Sequence, residues 1–370
     1  MEDILCHVNI QRSRSARHQI EEQMREMILS HKLAPGSKLP STHELARSWN
    51  THSATVHAAL QPLVRDGLIT RSHHAGTFVR QREEKLTCVG VFARVAINES
   101  QYVQSLHRAL KEELRLAGIE MDMWLDPRPE EEFAEPWLPF LKAVENREFQ
   151  AVIVTETNLM YLRWQSKLRA PTVIHGGENF LNQVNYDMKQ FAKISLQALA
   201  DQGCRSVGMI IPLSTRTSDG RPSSGFFEHF IDVSRDLGLT IKDPWMRVAA
   251  HEGAMRGRSF EGYGYEEFLK LWSQPERPEG LIVADDVTAR GVILALQQQH
   301  VRVPEDLKLV LHKNENIDLL CPMPATMMIS SERNTARVLI AQVQKQFRGE
   351  PYEPINLPFR LLVHTPGHLK

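Results

Sequence analysis

Hydrophobic residues follow two regimes along this chain: helical spacing in the first 80 residues, then short apolar runs between amphipathic stretches from residue 87 onward. In the first regime Ile20, Met24, Met27 and Ile28 share one face, predicting an amphipathic helix over about residues 13–31. Pro35-Gly36 predicts a tight turn. Ser41-Thr42-His43-Glu44 has the S-x-x-E spacing of a capping box, so a second helix starts with Ser41 as its N-cap. Val56, Ala59, Leu60 and Leu63, at i, i+3, i+4 and i+7, give a third helix its inward face. That leaves Ser53, Ala54, Thr55, His57 and Ala58 pointing outward near its N-terminal end. Pro62 removes one hydrogen bond from this helix and predicts a bend at its far end. Residues 68–71 and 77–80 then read as two short strands around a turn at 72–76.

In the second regime strand and helix patterns alternate. Apolar runs at 87–92, 119–125, 151–154, 171–175, 206–211, 280–284 and 307–311 predict strands. Between them, residues 102–117, 135–145, 189–202, 225–237 and 287–300 predict helices, three of them ending at Gly118, Gly203 and Gly238. Such alternation over about 280 residues implies parallel sheets with helices on both faces, and there is too much of it for one sheet. The fold class is therefore α/β: an N-terminal winged helix-turn-helix followed by a two-lobed, doubly wound parallel-sheet domain. The expected division is 1–80 for the head, 81–86 for a polar linker, and 87–370 for the body. Within the body, lobe 1 is expected over about 87–185 and 313–345, and lobe 2 over about 187–310 and 350–370.

Charge separates the same two parts. Residues 1–82 hold 11 Lys and Arg against 7 Asp and Glu, net +4, and the remainder holds 33 against 38, net −5. A basic head on an acidic body is the asymmetry expected of a nucleic-acid-binding module joined to something else. Half of the 16 histidines lie in the head, yet their spacing matches no zinc motif and no metal is expected. Cys6, Cys88, Cys204 and Cys321 are scattered without pairing motifs, which suits a reducing cytoplasm. No 18-residue apolar run appears, so a membrane span is not expected.

The head resembles the GntR family of bacterial transcription regulators. The resemblance is carried by Ile20, Leu33-Ala34-Pro35-Gly36-Ser37-Lys38-Leu39-Pro40-Ser41, Leu45-Ala46, Thr55-Val56, Ala59-Leu60, Gly67-Leu68-Ile69 and Gly76-Thr77-Phe78-Val79, in order and spacing. It implies DNA contacts from Ser41, Thr42, His43, Ser53, Thr55 and His57, with wing residues His73, His74, Gly76 and Thr77 near the backbone or minor groove. The small side chains at the start of the third helix suit a major groove about 12 Å wide. The chain departs from its family at His43, Ser53 and His57, where arginine is usual, so bidentate reading of guanine is not available from these positions.

The body resembles the effector-binding half of LacI-type repressors, a type I periplasmic-binding-protein-like fold. Asn185-Tyr186-Asp187, Gly203-Cys204-Arg205-Ser206-Val207-Gly208, Leu281-Ile282-Val283-Ala284-Asp285-Asp286 and Val303-Pro304-Glu305-Asp306-Leu307 carry that resemblance. It implies an effector held between the lobes at the carboxyl ends of strands. Asp286 matches the family aspartate that accepts from a sugar hydroxyl, although its place before a helix serves equally for a cap. Gln101 and Tyr102 are expected in the loop after the first strand, where the resemblance implies an aromatic against the ligand, Asp187 at the lobe crossing, and His175 and His312 at strand ends. Arg221 stands one residue too far from Gly225-Phe226 to match the family's spacing. Together these imply a homodimeric cytoplasmic repressor of carbohydrate-utilisation genes, bound to a palindromic double-stranded operator and answering to a sugar or sugar derivative. The alternatives are an activator, or a corepressor-dependent regulator of a nucleoside- or purine-like ligand. A carbohydrate-handling enzyme with a DNA-binding head finds no catalytic motif in this sequence, and no cofactor is expected.

Overall fold

The computed structural model describes residues 15–30, 32–72, 76–80, 85–94, 100–129, 132, 135–155, 168–176, 182–212, 225–249 and 259–365. Its elements fall into two units. The first comprises residues 1–185 and 335–355, and the second 186–334 and 356–370.

The first unit begins with helices α1 (Ala16–Leu29), α2 (Thr42–Ser48) and α3 (Ser53–Arg65) and strands β1 (Lys38–Leu39), β2 (Ile69–Ser72) and β3 (Gly76–Val79). Ile20, Met24, Leu33, Leu45, Val56, Leu60, Leu63 and Ile69 form the core of this head. The capping box is present in both directions. Glu44 N donates to Ser41 Oγ at 3.2 Å, and Ser41 N donates to the Glu44 carboxylate at 2.7 Å. The Ser41 hydrogen bonds hold the Glu44 carboxyl below its usual range. Gly36 takes φ +77° in the Pro-Gly turn, and its amide donates to Val79 O at 2.9 Å. The turn therefore ties β1 beside β3, and the wing has three strands in the order β1-β3-β2. The sequence pattern shows only two of them, because a two-residue strand carries no period. Helix α3 runs through Pro62 to Arg65, and Pro62 O accepts from Asp66 N at 2.8 Å. Replacing Ser41 by Ala should cost the head about 1 kcal/mol, read as an earlier urea midpoint of the head's unfolding.

The rest of the first unit is an α/β layer. Strands β4 (Cys88–Arg94), β5 (Glu120–Asp126), β6 (Ala151–Val154), β7 (Thr172–His175) and β8 (Gln183–Tyr186) pair in parallel in the order β8-β7-β6-β4-β5. Helices α4 (Gln101–Leu116) and α5 (Leu138–Asn146) connect them. In its core Phe140 stacks on Phe149 and packs at a tilt against Phe92, with Trp124 edge-on to Phe149.

The second unit holds α6 (Met188–Asp201), β9 (Val207–Ile211), α7 (Gly225–Asp236), a short 3-10 turn (Asp243–Trp245), β10 (Met246–Val248), α8 (Phe260–Trp272), β11 (Gly280–Val283), α9 (Asp286–Gln298), β12 (Lys308–Asn314) and β13 (Ala325–Ser330). Helix α10 (Glu332–Arg348) and strand β14 (Ile355–Leu357), the latter beside β8, carry the chain through the two later crossings, and β15 (Arg360–His364) closes it. The second sheet runs β10-β9-β11-β12-β13-β15, parallel except for the antiparallel pair β13–β15. Helices α8 and α9 touch backbone to backbone, since a Cβ at Gly264 would overlap Thr288 O and one at Gly291 would overlap Glu261 O.

The first crossing falls between Asn185 and Tyr186. Residues 313–334, expected in lobe 1, lie in the second unit. The cause is β13, whose parallel pairing with β12 keeps this stretch in the second sheet until α10 begins. The chain returns to the first unit only at Thr335.

Candidate nucleic-acid interface and ligand site

Helix α3 presents an outward row opposite its buried one. Ala54, His57 and Gln61 are exposed, and Ser53, Thr55 and Ala58 are half-buried. The His57 Nε2 lies 3.3 Å from Gln61 Nε2. Gln61 belongs to this row, three and four residues beyond Ala58 and His57, and was legible from the same periodicity that placed them. A glutamine there offers the donor–acceptor pair that matches adenine's major-groove edge. On α2, His43 is exposed and Thr42 half-buried, while the Ser41 hydroxyl accepts from its own helix. On the wing Gly76 is exposed and takes φ +105°, and Thr77 is half-buried. Lys38 packs against this strand, its Nζ 5.9 Å from the Phe78 ring centre, and adds a positive charge beside the wing. His73 and His74 lie outside the described residues.

The candidates for ligand contact separate by whether the fold already uses them. Gln101 and Tyr102 are the first residues of α4, not of a loop. Tyr102 Oη lies 2.6 Å from His175 Nε2, and His175 Nδ1 lies 2.8 Å from Val184 O. A carbonyl only accepts, so Nδ1 carries the proton and Nε2 accepts from the tyrosine. His175 is thus a buried group with both nitrogens engaged. Asp187 caps α6, its Oδ1 accepting from Gln190 N at 2.8 Å. Arg221 lies outside the described residues.

Asp286 and His312 differ. The cap of α9 is Asp285, whose Oδ1 accepts from Thr288 N at 2.7 Å and Thr288 Oγ1 at 2.8 Å. The capping role left open for Asp286 belongs to its neighbour. Asp286 is 3% exposed, and its Oδ2 has no hydrogen-bond partner among the described residues. On β12, His312 Nε2 lies 2.9 Å from Ser330 Oγ, which in turn donates to Asn314 Oδ1 at 2.7 Å. The hydroxyl has one proton and gives it to Asn314, so His312 donates from Nε2 and Nδ1 is a bare acceptor. That Nδ1 is buried without a partner among the described residues. Phe191 and Phe359 meet the His312 ring edge-on, at 6.4 and 5.8 Å between centres. Because β11, β12 and β13 are parallel, Asp286, His312, Asn314 and Ser330 gather at one carboxyl edge of the second sheet. Asp286 is near enough to favour the charged form of His312. Leaving a buried acceptor unpaired costs about 1–3 kcal/mol, so two of them at one sheet edge, unpaired among the described residues, make this edge the candidate ligand site. Ser330 and Asn314 went unnoticed in the sequence because the strand containing Ser330 was not expected.

Burial also sets protonation. It lowers His107, His175 and His312 to about 4, each a neutral imidazole in the fold. It raises Asp285, with help from the Asp286 charge, to about 6. The unfolded histidines titrate near 6.5, so between 6.5 and 4 the unfolded chain binds the extra protons. Stability from these groups is full above pH 6.5 and falls toward pH 4, by up to about 1.4 kcal/mol per pH unit for each histidine. Asp285 acts in the opposite sense: its contribution is present below 3.8 and lost as pH rises through 6. Three histidines outweigh one carboxylate. Urea titrations at successive pH values should therefore show stability falling on acidification through this window, and a flat or reversed slope would contradict the neutral assignments.

The architecture so built is that of a winged helix-turn-helix module joined to a two-lobed, periplasmic-binding-protein-like domain. Residues 16–79 match the model of bacterial regulatory proteins of the gntR family, and residues 196–363 match the periplasmic binding protein-like domain. The head is thus similar to the gntR family and the body to periplasmic binding protein-like domains. Among similar proteins, the HTH-type transcriptional repressor PurR of Pasteurella multocida is 27% identical over 139 residues, 38% of this chain and 38% of that one. The match therefore spans about two fifths of that relative. A LacI family transcription regulator from Clostridium acetobutylicum superposes with a TM-score of 0.61 at 18% identity, over 75% of this chain and all of that one. A LacI family regulator from Arthrobacter sp. FB24, in complex with lactose, does so with a TM-score of 0.56 at 20% identity, over 75% of this chain and 97% of that one. Among the described residues no helix is long and apolar enough to cross a membrane.

Proposed function

We propose that this chain is a ligand-responsive, DNA-binding transcriptional repressor. The head binds a palindromic operator as part of a homodimer, and the body binds a small effector, a sugar or sugar derivative. The observation that carries this reading is the pairing, in one chain, of a gntR-like head with a body in which Asp286 Oδ2 and His312 Nδ1 are buried acceptors without a hydrogen-bond partner among the described residues. Hydroxyl pairs on a sugar are donors of the required kind. The lactose complex of the Arthrobacter regulator supports a sugar for this fold. Operator half-sites would stand about 34 Å apart or at a simple multiple, with α3 of each protomer in the major groove. Ser41, Thr42, His43, Ser53, Thr55 and His57 meet the duplex, and the wing meets its backbone. The effector acts by binding one conformation more tightly than another, which shifts the population competent for DNA. The site of action is the cytoplasm.

Two measurements test it. Selection of duplexes from a random library should return a two-fold symmetric sequence, and recovery of unrelated sequences only would remove the operator. A thermal-shift screen against sugars, polyols, sugar phosphates, nucleosides and purines should give a hit, since a ligand at 100 times its Kd adds about 2.7 kcal/mol. A sugar hit supports the effector class, a purine hit replaces it with the nucleoside reading, and no hit removes the small-molecule effector.

A further inference from the structure

The recognition helix ends in a cluster of charges drawn from three elements. Asp66 follows α3 directly, and its side chain is 3% exposed. Arg25, from α1 of the head, donates to its Oδ2 at 2.5 Å. Arg169, from the segment leading into β7, pairs with its Oδ1, and Arg147, at the end of α5, donates to its backbone carbonyl at 3.3 Å. The last two arginines belong to the α/β layer, not to the head. Next to Asp66, Gly67 takes φ +66°, and a Cβ there would overlap the Arg147 guanidinium. The turn is thus shaped so that a side chain from the α/β layer can lie against its backbone. Arg147 itself holds a left-handed conformation, φ 59° and ψ 40°, where α5 stops.

The same short segment grips the chain entering the layer. Gln150, three residues after Arg147, accepts from Thr87 N at 2.6 Å, Thr87 Oγ1 at 2.9 Å and Cys88 N at 3.1 Å, and donates to Lys85 O at 3.2 Å. Segment 147–150 therefore holds the end of α3 at one end and the start of β4 at the other. The electrostatics favour this arrangement. A helix C-terminus carries partial negative charge, Asp66 adds a full one, and both face guanidinium groups. Because the Asp66 carboxylate is out of water, its ion pairs are screened far less than a surface pair.

We propose that the Asp66-Gly67 turn, seated on Arg147 and Arg169, is a joint that fixes the head to the α/β layer of its own unit and sets the direction of the recognition helix. The inference deepens the regulatory reading, because its consequence for operator choice rests on α3 meeting DNA. Its direct test needs neither DNA nor effector. Nitroxide labels are placed on the full chain at two exposed positions, Ser48→Cys on α2 and Lys142→Cys on α5, with Cys6 and Cys88 replaced by Ser. Pulsed electron–electron resonance should give one narrow distance distribution. The double variant Arg147→Ser with Arg169→Ser, which alters nothing inside the head, should broaden it at least twofold. Asp66→Arg should broaden it too, and adding Arg169→Asp should narrow it again. Far-UV circular dichroism checks that the head stays folded, and the variant on the α/β side decides the matter if Asp66→Arg does not fold. A broad distribution in the parent chain, or a narrow one that survives loss of both arginines, overturns the joint. Either result would leave operator selection and the thermal-shift screen to judge the regulatory reading on their own outcomes.

Discussion

Thr55→Leu is expected to abolish specific DNA binding, with at least a 100-fold loss of affinity for the selected duplex by fluorescence anisotropy. Thr55 stands one residue before the inward-facing Val56 and beside Ser53 and Ala54, in the first turn of α3. Its side chain is half-buried, so the position accepts no large increase in bulk without pushing toward the DNA. An isobutyl group there would hold the helix away from base edges, and giving up a good pairing between a side chain and a base costs about 1–3 kcal/mol. The inward face is untouched, so the head should keep its fold and the body its ligand-induced thermal shift. Unchanged affinity would show that another face of α3 meets the duplex. Loss of both DNA binding and thermal shift would show general misfolding.

The head was legible in the sequence because its signals are local. A capping box spans four residues, a helix face eight, and the observed α2 and α3 begin where those signals place them. The body was legible only as alternation. Strands β4, β6, β7, β9, β11 and β12 announce themselves as apolar runs because parallel strands are buried on both faces. Helix α8 does not, since Gly262 and Gly264 lower its propensity and the reason for Gly264 lies across the contact with α9. Strands β8, β10 and β14 are short and interrupted by Gln183, Asn185, Arg247 and Asn356, so they form no apolar run. The lobe assignment of residues 313–334 failed because β13 went unrecognised, and without it nothing in the pattern keeps the chain in the second sheet. Among the ligand candidates, sequence could place residues at strand ends but could not say which were already occupied. Tyr102 and His175 use each other, 73 positions apart, and Asp187 serves as a cap. Asp285 and Asp286 are adjacent and chemically alike; only the direction of the Asp285 side chain to Thr288 shows which one caps α9.

That distinction makes Asp286→Ala the most discriminating change in the body. In the free protein Asp286 Oδ2 is buried without a hydrogen-bond partner among the described residues, so this oxygen bears a desolvation cost. Removing it should leave the unliganded protein as stable or more stable, with an equal or higher Tm. With a hydroxyl-bearing effector bound, the same carboxylate accepts hydrogen bonds out of water, and its loss should weaken binding by about 2 kcal/mol, roughly 30-fold in Kd. The two effects have opposite signs, which is the signature of a group kept for function at the expense of stability. Asp285→Ala provides the contrast: the cap on Thr288 is lost, and stability should fall by about 1 kcal/mol. Calorimetric titration of the strongest compound from the thermal-shift screen, with melting of each free variant, separates the two aspartates. An Asp286→Ala protein that melts earlier yet binds as before would assign this residue to the fold and move the ligand site away from the carboxyl edge of the second sheet.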